Sequence, residues 1–211
     1  GYTLIELMIG LLVGLIVLSA VIYAFISTLK SSKDIVNSAR INRELSVLTD
    51  LVTGELRRTG YYPVDLAFNG VPSEYGVTRA DITFSEGESC IVYGYYDDTV
   101  VSGGYVSRGF KFENDAILFG DLLTLSCSTS AGWTSITDPT AVKVTSFDID
   151  LICDDVRTTA VASASQCTAS TATSIYRRAI SLAIAVEASN DDVWKSNISE
   201  YIKVRNDLSP D

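Results

Sequence analysis

From Leu7 to Leu29 the chain runs for 23 residues without a charge. As a helix, a segment of that length rises about 35 Å, against a bilayer core of roughly 30 Å, so it is long enough to span a membrane. A secretory leader would begin with basic residues and end, after an apolar run of about 7 to 15 residues, at a small-residue cleavage site. Here the run is longer and Gly1-Tyr2-Thr3-Leu4-Ile5-Glu6 supplies no base ahead of it, so an uncleaved helix is expected. Glu6, at the very edge of the apolar block, is the odd member. A carboxylate carried into lipid costs roughly 2.5 to 3.5 kcal/mol on insertion scales, so it requires a partner. A free α-amino group at the helix start, its own or that of a stacked subunit, is one. Marking the headgroup boundary is the simpler alternative role.

The rest of the composition removes whole classes of function. With 47% apolar residues the chain can offset the entropy lost on folding, which excludes intrinsic disorder. It has no histidine, which excludes His-based triads, His-bound zinc and imidazole pH switches. Residues 1–60 hold six basic and five acidic side chains, whereas the remaining 151 hold ten and twenty-one. The net charge of −10 therefore resides in the C-terminal part, and no nucleic-acid partner is expected from it.

Past Leu29 the sequence turns polar but a helical stripe persists. Ile41, Leu45, Leu48, Val52 and Leu56 recur at spacings of four, three, four and four, the pattern of a helix face packed on a core. The periodicity predicts one helix to about Thr59, stopped by a left-handed Gly60 ahead of Tyr61-Tyr62-Pro63. Gly10 and Gly14 form a G-x-x-x-G spacing that lets helices approach closely in lipid.

Gly1-Tyr2-Thr3-Leu4-Ile5-Glu6-Leu7-Met8-Ile9 resembles the class III signal of type IV pilins and type II secretion pseudopilins. The resemblance implies cleavage by a prepilin peptidase after Gly1, N-methylation of Tyr2, and an assembly role for Glu6 as the fifth residue of the mature chain, paired with the terminus of a neighbouring subunit. Three further stretches are similar to PilW-like minor pilins: Glu55-Leu56-Arg57-Arg58-Thr59-Gly60-Tyr61, Glu113-Asn114-Asp115-Ala116-Ile117-Leu118 and Tyr201-Ile202-Lys203-Val204-Arg205-Asn206. Major pilins of the bacterial type usually carry a proline in this helix. None lies between Tyr2 and Tyr62.

The remainder reads as β. Candidate strands are Asp81–Phe84, Cys90–Tyr95, Gly109–Phe112, Ala116–Leu118, Leu122–Cys127, Val142–Cys153, Ile180–Val186 and Tyr201–Val204, with a phase slip at Ser146 that signals a bulge. The expected fold is α+β: a long N-terminal helix packed on a mostly antiparallel sheet, the pilin fold. Its parts are an apolar half-helix over 1–29, an amphipathic half over 30–60 and a globular head over 61–211.

Cys90, Cys127, Cys153 and Cys167 have no C-x-x-C spacing, so metal and thioredoxin-like chemistry are poor readings. In a head outside the cytoplasm two disulfides are expected, and of the three pairings Cys90 with Cys127 and Cys153 with Cys167 is preferred. The second closes the Ser/Thr/Ala-rich loop 154–174. Asp97-Asp98, Asp154-Asp155 and Asp191-Asp192 lack an EF-hand pattern and read as solvated loop acids. Of Tyr93, Tyr95, Tyr96 and Tyr105, half are expected in the core by strand alternation. No nucleophile has a recognisable base.

These readings converge on a non-enzymatic filament subunit with no cofactor and no metal, most like a PilW-like minor pilin in assembly initiation or at the tip. The alternatives are a major pilin, a secretion pseudopilin, or a membrane-anchored extracytoplasmic binding module. Expected partners are other pilin subunits, the prepilin peptidase and the inner membrane. The head is placed in the periplasm before assembly and the chain in an extracellular or periplasmic filament after it.

Overall fold

The structure is a computed structural model, and it describes residues 1, 3–61, 82–85, 89–100, 104–122, 126–128, 132–155, 161–162 and 176–204. The chain divides into two compact units, 1–40 and 41–211. The first is helical from Leu4 onward. Helix α1, Leu4–Leu56, begins in it and ends in the second.

In the second unit α1 buries Ile41, Leu45, Leu48, Val52 and Leu56, the residues of the expected stripe. The regular helix ends at Leu56, three residues before the expected limit. A turn follows, in which the Thr59 N–H donates to the Leu56 carbonyl at 3.2 Å and Gly60 takes φ 69°. A left-handed residue closes the last carbonyls at low steric cost only if it lacks a Cβ, which is why glycine stands there.

Among the described residues this unit has two antiparallel sheets rather than one. The first has the order β1-β2-β3-β4-β5, from Ile82–Ser85, Cys90–Tyr96, Tyr105–Glu113, Ala116–Leu122 and Trp133–Ser135. The second is built from β6 (Val142–Asp155), β7 (Val161–Ala162), β8 (Tyr176–Ala188) and β9 (Asp191–Lys203), in the order β7-β6-β8-β9. Asn114 and Asp115, both with positive φ, form the two-residue turn of the β3–β4 hairpin. Such a turn matches the right-handed twist of the strands. The Val144 N–H reaches back to the Asp115 carbonyl at 2.9 Å and ties the two sheets together.

β6 alternates buried and exposed residues on both sides of a register shift between Val144 and Ser146. The extra residue moves the buried set from Val142 and Val144 to Phe147, Ile149, Leu151 and Cys153. One core gathers α1, the inner residues of the first sheet (Ile91, Tyr93, Phe110, Ile117) and those of the second (Phe147, Ile180, Leu182, Ile184). Fully burying each such side chain contributes about 1.5 to 3 kcal/mol. The α+β expectation holds.

Three local expectations do not. The expected strand Leu122–Cys127 does not extend to Cys127: Leu122 ends β4 and Cys127 lies in a turn, while 123–125 lie outside the described residues. Asp154-Asp155 ends β6 and Asp191-Asp192 opens β9, so these acids belong to strands, not loops. β9 begins ten residues before Tyr201, with Val193, Lys195, Asn197, Ser199 and Tyr201 on an exposed face too mixed to read as a strand.

Candidate functional site

The N-terminal unit presents its apolar side chains outward. Every described residue from Leu4 to Leu29 is exposed, and the helix is long and apolar enough to cross a membrane. Two of its hydroxyls are satisfied within the helix, as a lipid environment demands. Ser19 Oγ donates to the Leu15 carbonyl at 2.8 Å and Thr28 Oγ1 to the Ala24 carbonyl at 2.9 Å. A Cβ added at Gly10 or Gly14 would meet nothing within 4 Å, which leaves both glycines as notches on the helix surface.

Glu6 lies one turn into the helix. Its Oε2 accepts the Thr3 N–H at 3.0 Å and the Thr3 hydroxyl at 2.9 Å. Thr3 is thus the N-cap and Glu6 the reciprocal N3 residue of a capping arrangement, which satisfies a helix-start donor that lipid cannot. The Thr3-x-x-Glu6 spacing carried that signal in the sequence, where only the charge of Glu6 was read. Gly1 is exposed, while Tyr2, the expected methylation site, lies outside the described residues.

In the second unit the polar centre is Glu55, in the last turn of α1. Its Oε2 accepts the Tyr93 hydroxyl at 3.2 Å and Arg108 Nη1 at 3.1 Å, and its Oε1 meets Arg58 Nη1 at 3.3 Å. Arg58 also donates to Tyr95 Oη at 3.2 Å. The guanidinium groups of Arg58 and Arg108 lie 5.3 and 5.6 Å from the centroid of the Tyr95 ring, within cation–π range. Burial, then the charge of Glu55, pushes the Tyr93 hydroxyl well above its ordinary value, so it remains a proton donor. Sequence reasoning assigned Glu55 no role. An acid in the last helical turn opposes the helix dipole, and that was the available signal.

Cys90 and Cys127 form a disulfide with Cα atoms 6.1 Å apart. Cys153 is fully buried and disulfide-bonded, whereas Cys167 lies outside the described residues. Tyr93 and Tyr95 are both core residues. Asp97 Oδ1 accepts the Thr99 N–H at 3.0 Å and its hydroxyl at 2.6 Å, a local turn whose hydrogen bonds lower the carboxyl pKa. Among the described residues no group of three or more Cys, Asp or Glu side chains is placed to hold a metal.

No curated protein and no solved structure matches this chain. The family model for prepilin peptidase-dependent protein B matches residues 34–204, which takes in the amphipathic part of α1 and every described strand. The Glu55 centre and the Cys90–Cys127 cross-link both fall inside that match. With four-fifths of its length so covered, the chain belongs to the prepilin peptidase-dependent protein B family, a family of pilin-like subunits.

Proposed function

We propose that this protein is a non-enzymatic minor subunit of a type IV pilus-like filament, of the PilW-like kind, acting in assembly initiation or at the tip. Prepilin peptidase cuts after Gly1 and Tyr2 becomes the methylated N-terminal residue. Before assembly the helix from Leu4 to Leu29 sits in the inner membrane with the head in the periplasm. In the filament the same apolar surface packs against other pilin subunits.

One observation carries this reading. The family match begins at residue 34, whereas the class III-like motif and the exposed apolar helix lie before it. Two segments that share no residue support the same class. Within the single chain Thr3 already holds Glu6, so the carboxylate enters an assembly with its rotamer fixed. There it pairs with the α-amino group of a neighbouring subunit, which removes two uncompensated charges from an apolar core.

The test combines N-terminal mass analysis of the protein from cells with subunit counting in isolated filaments. A methylated Tyr2 start and a few copies per filament are expected. An uncut, unmethylated start supports a membrane-anchored binding module instead, and stoichiometry matching the shaft identifies a major subunit. Glu6→Ala should leave the protein folded and in the membrane while lowering incorporation. Unchanged incorporation sinks the role given to Glu6.

A further inference from the structure

Residues 41–57 carry a second face opposite the buried stripe. Arg43, Val47, Asp50, Leu51, Gly54 and Arg57 are all exposed, Val47 at 55% and Leu51 at 41%. A Cβ at Gly54 would meet nothing within 4 Å. Positions 43, 47, 50 and 54 follow each other at four, three and four, so they share one side of the helix. Arg57, three residues further on, is the first residue past α1, its N–H still donating to the Thr53 carbonyl at 3.1 Å. Along that side the order is cation, apolar, anion, glycine, cation. A merely solvated face has no use for the exposed valine and leucine or for a helix-weakening glycine one turn beyond them.

We propose that this face docks against the same face of a second copy of the chain, with the two helices parallel and displaced by seven residues, about 10.5 Å along the axis. Seven residues is two turns, so the displaced helix presents the same side. At that offset Arg43 of one copy stands opposite Asp50 of the other, Asp50 opposite Arg57, and Val47 over Gly54, where the missing side chain admits a close approach. Other registers are worse. With no displacement, or with the helices antiparallel about position 50, like charges face each other along the whole row. A four-residue displacement sets Arg43 on Val47 and Asp50 on Gly54, which desolvates both charges without pairing them. The inference rests on the filament-subunit reading, which supplies the reason that two helices lie parallel.

Full-length chains carrying Val47→Cys and, separately, Gly54→Cys test it when co-produced and oxidised in filaments. Both positions are exposed, and no native cysteine is free among the described residues. The mixed 47–54 disulfide should exceed the 47–47 product and the product of a Val47→Cys and Leu51→Cys mixture by roughly tenfold. Asp50→Arg should lower the mixed product by roughly tenfold, the effect of turning two facing ion pairs into repulsions, and adding Arg43→Asp and Arg57→Asp should restore it. Filaments that contain the chain yet yield mainly 47–47 or 47–51 products, or link position 47 only to a different subunit, overturn the inference alone. If the chain never enters filaments, the filament reading falls and takes this register with it.

Discussion

The Tyr93 hydroxyl donates to Glu55 Oε2 at 3.2 Å, so a fully buried phenol on β2 ends on a carboxylate in the last turn of α1. Arg108, from β3, reaches the same oxygen at 3.1 Å. Glu55→Ala removes the acceptor from both and leaves a buried hydroxyl and a half-buried guanidinium unmatched. Because Glu55 keeps 20% of its side chain exposed, the loss is smaller than for a deeply buried pair, about 2 kcal/mol. Denaturant titration of the full chain in detergent checks this, and an unchanged midpoint would show that α1 is held by apolar packing alone.

The same phenol sets an alkaline limit. Its folded pKa lies above the ordinary 10.0, so between the two values the folded state binds more protons than the unfolded one. The stability tied to Tyr93 is therefore complete below pH 10 and declines as pH rises above it. Tyr93→Phe should be less stable than wild type at pH 7 and lose less stability between pH 10 and 11.5. Parallel melting curves across that range decide the matter.

Gly109 and Gly120 pair across β3 and β4 beneath the ring of Trp133. A Cβ at Gly120 would lie 2.8 Å from that ring, and one at Gly109 would lie 2.7 Å from the main-chain oxygen of Ile91. Gly109→Ala should cost about 2 to 3 kcal/mol, because a backbone oxygen in a sheet cannot turn aside. Gly120→Ala should cost less, since the indole can shift. A reversed order in thermal unfolding would refute this account of the two glycines.

The Cys90–Cys127 cross-link spans 37 residues of sequence. On the loop-entropy model, replacing both cysteines with serine should remove about 4 kcal/mol, less any strain relieved. Under reducing conditions, which also open the bond of Cys153 in both proteins, the reduced wild type should converge on the reduced variant. Failure to converge once reduction is complete would assign the stabilisation to packing of Cys90 beside Val92 and Leu122.

Much of the fold was legible because it is written in short-range periodicity. The stripe from Ile41 to Leu56, the positive φ of Gly60 and the slip at Ser146 each follow from neighbouring residues alone. The split into two sheets was not legible, since it depends on which strands find each other across long separations. The Glu55 centre was hidden for the same reason: its partners Tyr93 and Arg108 stand 38 and 53 residues away. The attachment of Glu6 to Thr3 is local, and its signal is the Thr3-x-x-Glu6 spacing rather than the charge of Glu6.

Within two residues of the turn after α1, the chain is fastened to β2. The Gly60 N–H donates to the Gly94 carbonyl at 2.9 Å, and the Tyr96 N–H to the Tyr61 carbonyl at 2.8 Å. Tension on the helix therefore enters the head through this strand as well as through the packed stripe and the Glu55–Arg108 contact. β2 cannot be unzipped from its far end, because Cys90 is anchored there by a covalent bond, and the load must spread into β1 and β3 on its flanks. A head fastened in this way is suited to being pulled.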